Sequence, residues 1–357
     1  MKRVCLLIII ISILSVGCSK EPVLKKYSYE FIGTFDTMIQ VMGYAKNIKQ
    51  FEIMTKKSEA KFQELSKLFD IYNDYEGINN IKTINDMAGI APVPVDQQII
   101  DLIEFSKYWY KQTDGVVNIA MGPVLFIWHE YRNEGLNNSA QAKLPGREEL
   151  EAAAKNTDIN KVKINNQEKT VYLEEIGMSL DVGAVAKGYA VELTANMLID
   201  EGYTSFIISA GGNIKTVGKP RDGIREKWGI GLQNPDANPY IPDSNPIDTV
   251  FISDNRSVVS SGDYQRFYEV DGKRYHHIIS RETLMPADYF RSVTVVAENS
   301  GTADFLSTAI FLLPYEQSRK LVDSIDGVEA LWIMPDGDIK ATENMQKTLK
   351  TFGASPR

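Results

Sequence analysis

LDVGAVAKGYAVE, residues 180–192, is the stretch from which the rest of the chain can be ordered. Met178-Ser179-Leu180 reads as the end of a strand and Asp181-Val182-Gly183 as a tight turn. The pattern then predicts a helix from about Ala184 through Met197, with Tyr189, Leu193, Met197 and Leu198 on an apolar stripe. A Gly-containing turn feeding a helix N-terminus leaves N–H groups unpaired and gathers positive dipole, which suits an anionic ligand. Lys187 would add a mobile cation. Asp181 would be a fixed acceptor for a ribose, a ring N–H or a metal-bound water, or else simply a helix cap.

Downstream, Ser205 to Ser209 reads as a buried strand ending in the Gly-rich turn Ala210-Gly211-Gly212-Asn213. A Pro/Asn/Asp-rich region, 219–248, surrounds one strand, Trp228 to Leu232. Gln265 to Val270 and Lys273 to Ile279 flank Asp271-Gly272, a strong hairpin signal. Ser292 to Ala297 is a strand, Thr302 to Leu313 an apolar helix, Pro314 to Ser324 another helix and Ala330 to Met334 a last strand.

Upstream, Tyr29 to Lys46 reads as two β-runs broken at Gly33-Thr34. A helix follows over Ile48–Phe69, with Phe51, Met54, Phe62, Leu65 and Leu68 as its apolar positions. Asp70 to Ala88 looks like a long polar connection, carrying Ile71 and the aromatic Tyr72 and Tyr75. Asp96 to Gln112 is amphipathic, with Ile99, Ile100, Leu102, Ile103, Phe105 and Tyr108 inward. Pro123 punctuates a helix carrying Trp128, 133–148 is loop-like, and a helix (Arg147–Lys155) and strand pair (Lys161–Ile164, Thr170–Leu173) complete the chain. The irregular interleaving, with no repeat or internal linker, implies one large α+β unit over 27–350.

The chain has 357 residues, 43% hydrophobic and 24% charged, with net charge −8. That is enough chain for a substantial core, and the acidity argues against a nucleic-acid surface. Residues 1–17 carry Lys2-Arg3 and then a short apolar run, as a targeting segment does. Small residues precede Cys18, resembling a lipoprotein signal in which Cys18 is lipidated. Residues 18–26 would then be a tether, holding the domain at the outer (periplasmic) face of the cell membrane. Cys5 lies within the targeting segment and Cys18 is the only other cysteine, which excludes a disulfide or thiolate site in the mature chain.

Asp304 and Thr308 lie four apart, on one helix face. A carboxylate and a hydroxyl, joined by a backbone carbonyl, make the hard oxygen environment Mg²⁺ prefers beside phosphate. Equally, Asp304 could oppose the helix dipole and Thr308 pack in the core. Only three histidines exist, His129, His276 and His277. His276 and His277 occupy opposite faces of a strand, so one of them faces inward. His129, beside Trp128, reads as structural.

Together, DVGAVAKGYAVE, AGGNI, SSGDYQRFYEVDGKRYHHII and SVTVVAENSGTADFLSTAIFLL resemble the ApbE family of FAD:protein FMN transferases. The resemblance extends through IGTFDT, LFDIYNDYEGINNI, TINDMAG and TDGVVNIAMGP, in order from Tyr29 to Leu313. It implies binding of FAD and Mg²⁺, release of AMP, and attachment of FMN through a phosphoester to a Thr or Ser hydroxyl of a partner flavoprotein. Such partners are membrane redox-pump subunits or extracytoplasmic flavoproteins. By position it assigns the metal to the carbonyl of Ala184 with Asp304 and Thr308, and the catalytic base to His277. FAD is assigned to Ile32, Tyr72, the backbone of Val116, Val117 and Asn118, Asp181, Lys187 and Ile279. The chain departs from the family where Ile-Ile-Asp-Pro-x-Thr-Gly is usual: it has Ser280, Arg281 and Leu284 in place of Asp, Pro and Gly. Asn118 stands where Asp is common and Ile32 where Met is. Two other readings fit the same motifs, a Mg²⁺-dependent FAD pyrophosphatase and a non-catalytic FAD-binding lipoprotein.

Overall fold

The computed structural model describes residues 24–237 and 246–357. The targeting segment and Cys18 lie outside the described residues. The chain opens with a hairpin, β1 (Lys25–Thr34) and β2 (Thr37–Ala45), followed by α1 (Ile48–Leu68). Next come α2 (Ile81–Asp86), β3 (Val93–Pro94) and α3 (Gln97–Gln112). Then α4 (Gly122–Asn137), α5 (Arg147–Ala154), β4 (Val162–Asn165) and β5 (Thr170–Leu173) lead into α6 (Ala186–Asp200). Strands β6 (Phe206–Ala210), β7 (Asn213–Val217), β8 (Trp228–Leu232), β9 (Asp248–Ile252) and β10 (Ser257–Gly262) follow. After the hairpin β11 (Phe267–Val270) and β12 (Lys273–His276) come β13 (Ser292–Ala297), α7 (Ser300–Phe311) and α8 (Tyr315–Asp323). The chain closes on β14 (Glu329–Ile333), β15 (Ile339–Ala341) and α9 (Glu343–Gln346).

The centre is an eight-stranded sheet ordered β1-β2-β6-β7-β10-β13-β14-β15. Every neighbouring pair in it is antiparallel. Its strands alternate between two apolar faces, as a pleated strand covered on both sides must. Phe206, Ile208, Val295 and Trp332 join the main core with α1, α3, α6 and α7. Their neighbours Ile207, Val296, Leu331 and Ile333 pack with β8 and β9 on the other side. A third cluster joins α4 to the β11–β12 hairpin through Trp128, Tyr268, Ile279 and Leu284. The architecture is the single α+β domain expected.

Several boundaries differ from the sequence reading, each for a local reason. Residues 178–180 are not a strand. Their backbone is satisfied by a side chain instead: Leu180 N–H donates to Asn85 Oδ1 (2.7 Å), and Asn85 Nδ2 donates to the Leu180 carbonyl (3.0 Å). Helix α6 starts at Ala186 and runs to Asp200, and its buried side is made of Gly188, Ala190, Val191, Ala195 and Leu198. Tyr189, Leu193 and Met197 only flank that core. The first hairpin turns at Phe35-Asp36, both left-handed (φ 52° and 49°), with Gly33 in the irregularity before it. Within 70–88, Asn80 and Thr83 form a capping box that starts α2. Helix α4 continues to Asn137, into the region read as loop. Tyr108 of α3 faces solvent, 55% exposed. The second hairpin strand stops at His276, three residues short of the expected Ile279. The domain also begins at Lys25, inside the segment read as tether.

Candidate functional site

The start of one helix, the face of a second and the ends of two strands meet at one cleft. The loop before α6 supplies Asp181, Gly183 and Ala184, its first turn supplies Lys187, and α7 supplies Asp304 and Thr308. Asn213 at the start of β7 and His277 just past β12 close the same cleft. Val116, Val117, Asn118, Tyr72 and Ile279 also line it, and it encloses about 320 Å³. Of the residues the sequence singled out, Ile32 alone among the described residues lies elsewhere. It sits on β1, 79% exposed and outside the cleft lining.

Asp304 is held rather than free to swing. Its Oδ2 accepts the Gly188 N–H (2.8 Å) and its Oδ1 accepts from Asn213 Nδ2 (3.3 Å). Only glycine permits this approach, because a Cβ at position 188 would sit 2.4 Å from Asp304 Cβ and from the Ser300 carbonyl oxygen. Burial pushes the Asp304 carboxyl up, and nearby Lys187 partly counters it. Burial likewise pushes Lys187 down. Asn213 Oδ1 is buried with no hydrogen-bond partner among the described residues. A confined carboxylate, an unpartnered amide oxygen, the Thr308 hydroxyl and the Ala184 carbonyl are a hard, all-oxygen set, which fits a small divalent cation. Among the described residues no group of three His, Cys, Asp or Glu is placed to hold a metal ion by itself. Such a cation would therefore need phosphate and water oxygens to complete its shell.

Hydrogen bonds distinguish the two adjacent histidines. His276 is 6% exposed, and both its ring nitrogens are engaged: Nε2 donates to the Ala287 carbonyl (2.6 Å) and Nδ1 accepts from Ile278 N–H (3.2 Å). His276 is therefore structural. His277 faces the cleft, with Nδ1 3.2 Å from the Arg266 carbonyl. A carbonyl can only accept, so Nδ1 carries the hydrogen and Nε2 is left with its lone pair. Burial, helped by Arg266, pushes the ring down to about 3.

Asp181 is not a helix cap. Its Oδ1 accepts from Gly183 N–H (2.8 Å), its N–H donates to the Ile119 carbonyl (2.8 Å), and Val185 is the N-cap residue of α6. Burial pushes its carboxyl up. Asn118 uses its side chain internally, donating to the Thr157 carbonyl (2.8 Å) and accepting from Ala120 N–H (2.9 Å). The turn at the departure from the family motif is rebuilt: Leu284 takes the left-handed conformation (φ 58°) and its carbonyl accepts from Trp128 Nε1 (2.9 Å). Arg281 does not line the cleft; it donates to the Gly115 carbonyl (2.9 Å), bracing the loop that leads to Val116.

Among the cleft residues to which the sequence reading gave no part are His129, Arg132, Arg266 and Asn213. His129, read as structural, corrects to a cleft residue. Its Nδ1 is 2.7 Å from Arg132 Nη2 and its ring lies 5.1 Å from that of Tyr72. The signal was present in the spacing. Leu125, Trp128, His129 and Arg132 recur at i, i+3, i+4 and i+7 and share one side of α4. Burial raises Tyr72 to about 12, so its hydroxyl stays protonated as a donor.

Residues 35–332 match the model of the ApbE family. A Treponema pallidum protein named FAD:protein FMN transferase is 32% identical over 286 residues, which is 77% of this chain and 76% of that protein. A Klebsiella pneumoniae protein of the same name is 29% identical over 316 residues, 88% of this chain and 91% of that one. The crystal structure of an ApbE protein from Thermotoga maritima superposes with TM-score 0.78 at 28% identity, covering 91% of this chain and 99% of its own. The match takes in the loop before α6, β7, the β11–β12 hairpin and α7 in one run, so every residue lining the cleft falls inside it: the chain belongs to the ApbE family.

Proposed function

We propose that this ApbE-family transferase moves FMN from FAD to a Thr or Ser hydroxyl of a partner protein and releases AMP. One observation carries the reading: His277 with its Nε2 unengaged, the half-buried Lys187 and the oxygens of Asp304 and Thr308 line a single cleft. The chain as a whole is similar to relatives named for this activity. In the reaction the acceptor oxygen forms a bond to the flavin-side phosphorus and the anhydride bond to the AMP phosphate breaks. His277 Nε2 takes the hydroxyl proton, a role open to it because the ring is neutral at physiological pH. An arriving diphosphate brings negative charge, which raises the affinity of that ring for the proton. Lys187 and the first turn of α6 hold the diphosphate in line, with Arg132 and Arg266 adding positive potential at the mouth. Bound at Ala184, Asp304 and Thr308, Mg²⁺ would neutralise charge on the diphosphate and on the departing AMP. The flavin itself is cargo.

The N-terminal Cys18 gives the chain a lipid anchor, which holds it at the extracytoplasmic face where a membrane redox subunit or secreted flavoprotein would be its acceptor. No helix among the described residues is long and apolar enough to cross a membrane. Product analysis of the full chain with FAD and Mg²⁺, with and without a threonine-bearing acceptor domain, tests the assignment. AMP released only with acceptor supports transfer. Free FMN in both arms would make the chain a pyrophosphatase, and intact FAD in both would make it a binding protein.

A further inference from the structure

Glu192 and Lys215 form the one ion pair among the described residues in which both side chains are nearly inaccessible (11% and 2% exposed). Lys215 Nζ lies 3.0 Å from Glu192 Oε2 and donates to the Glu298 carbonyl at 2.6 Å. Glu192 Oε2 also accepts the Ser300 N–H, the first of α7, at 2.7 Å. None of these groups lines the cleft. Yet their spacing repeats the cleft arrangement one helical turn away. Gly188 and Glu192 are four apart on α6, Ser300 and Asp304 four apart on α7, and Asn213 and Lys215 two apart on the same side of β7. The outer rung joins α6, α7 and β7 through Glu192, Ser300 and Lys215. The inner rung joins the same three elements through Gly188, Asp304 and Asn213.

Burying a charged pair brings little net stability, since desolvation consumes most of the attraction. What it does confer here is position, because a carboxylate shared between an ammonium and a helix N–H tolerates little displacement. We propose that Glu192 and Lys215 are positioning residues, a second rung that fixes the α6–α7–β7 crossing and thereby sets Asp304 for the cation and diphosphate. The proposal rests on the flavin-transfer reading above for the ligand, and on the two-rung geometry for the residues.

The test is the double variant Glu192→Gln/Lys215→Met. It removes both charges together, keeps an acceptor for the Ser300 N–H, and leaves no unpaired buried ion. Read out are the thermal midpoint and the Mg²⁺ concentration giving half-maximal tightening of FAD binding, followed by flavin fluorescence in the full chain. Expected is a midpoint near that of the parent with a Mg²⁺ requirement raised about tenfold or more, the scale seen for outer partners of metal ligands. Glu192→Asp, which keeps both charges but cannot reach Lys215 and Ser300 together, should raise it in the same direction and serves if the double variant does not fold. A folded variant with unchanged Mg²⁺ response would overturn the proposal. If the parent itself shows no Mg²⁺ effect on FAD binding, the flavin-transfer reading fails first and takes the clamp's purpose with it.

Discussion

At the scale of single residues, the choice between His276 and His277 shows where sequence pattern stops. Strand alternation states that one ring faces inward but not which, because both faces of this hairpin meet protein. Hydrogen bonding decides it, by consuming both nitrogens of His276 and one of His277. His277→Ala should therefore lower transfer by about 10²–10⁴-fold, the usual worth of a general base. FAD affinity, measured by fluorescence, should change only slightly; an equal loss of both would make the residue a binding contact. The histidines also set a pH response. His129, His276 and His277 all have pKa values below the ordinary 6.5, largely through burial. The unfolded chain thus takes up these protons first, so stability present above about pH 6.5 is lost as pH falls, toward about 3 for His277. Asp181 and Asp304, pushed up, act in the opposite sense: their contribution is present in acid and lost as pH rises through their folded values. Melting temperature should drop from pH 7.5 to 5, and His277→Gln should make that drop smaller. Parallel curves for variant and parent would contradict the assignment.

At the scale of elements, α1 and α3 were legible because their periodicity survives burial on one side, and α7 because it is apolar along its length and buried nearly all round. Strand β10 was not. Its sequence, Ser257 to Gly262, is rich in serine and falls in no element read from the sequence, yet it is central to the sheet. Two of its hydroxyls are paired with neighbouring elements: Ser260 Oγ lies 2.8 Å from Thr294 Oγ1, and Ser261 Oγ 2.8 Å from Ser307 Oγ. Such cross-element pairs exist only once the sheet has formed, so no local pattern announces them. The α6–α7 crossing is the element-scale feature on which the site depends. Gly188→Ala would push a methyl against Asp304 Cβ and the Ser300 carbonyl, neither of which can rotate away. We expect a loss of about 1–3 kcal/mol from overpacking, read as a lowered denaturant midpoint, with transfer falling further than stability alone explains. An alanine variant as stable and active as the parent would mean the two helices separate freely.

At the scale of the whole molecule, motif order made the fold class legible, while strand order in the sheet was not. Nothing local states that β2 pairs with β6, some 160 residues later, or that β10 inserts between β7 and β13. The exposed position of Ile32 was equally hidden, because it follows from the turn falling at Phe35-Asp36 rather than at Gly33-Thr34. The same start of the domain bears on localisation. With β1 beginning at Lys25, only residues 18–24 separate the proposed lipid from the sheet, and seven extended residues span at most about 25 Å. The cleft would then work close to the membrane, within reach of a membrane-bound acceptor. Cys18→Ala should move the chain from the membrane to the soluble fraction while leaving its activity toward a soluble acceptor unchanged; retention in the membrane would remove the anchor. The claim on which the rest turns is that one cleft both cleaves FAD and hands its flavin half to a protein. Intact-mass spectrometry of a threonine-bearing acceptor, incubated with the full chain, FAD and Mg²⁺ while AMP is counted in parallel, tests it most directly. One FMN bound per AMP released is the expected result, and an acceptor of unchanged mass beside accumulating AMP would contradict it.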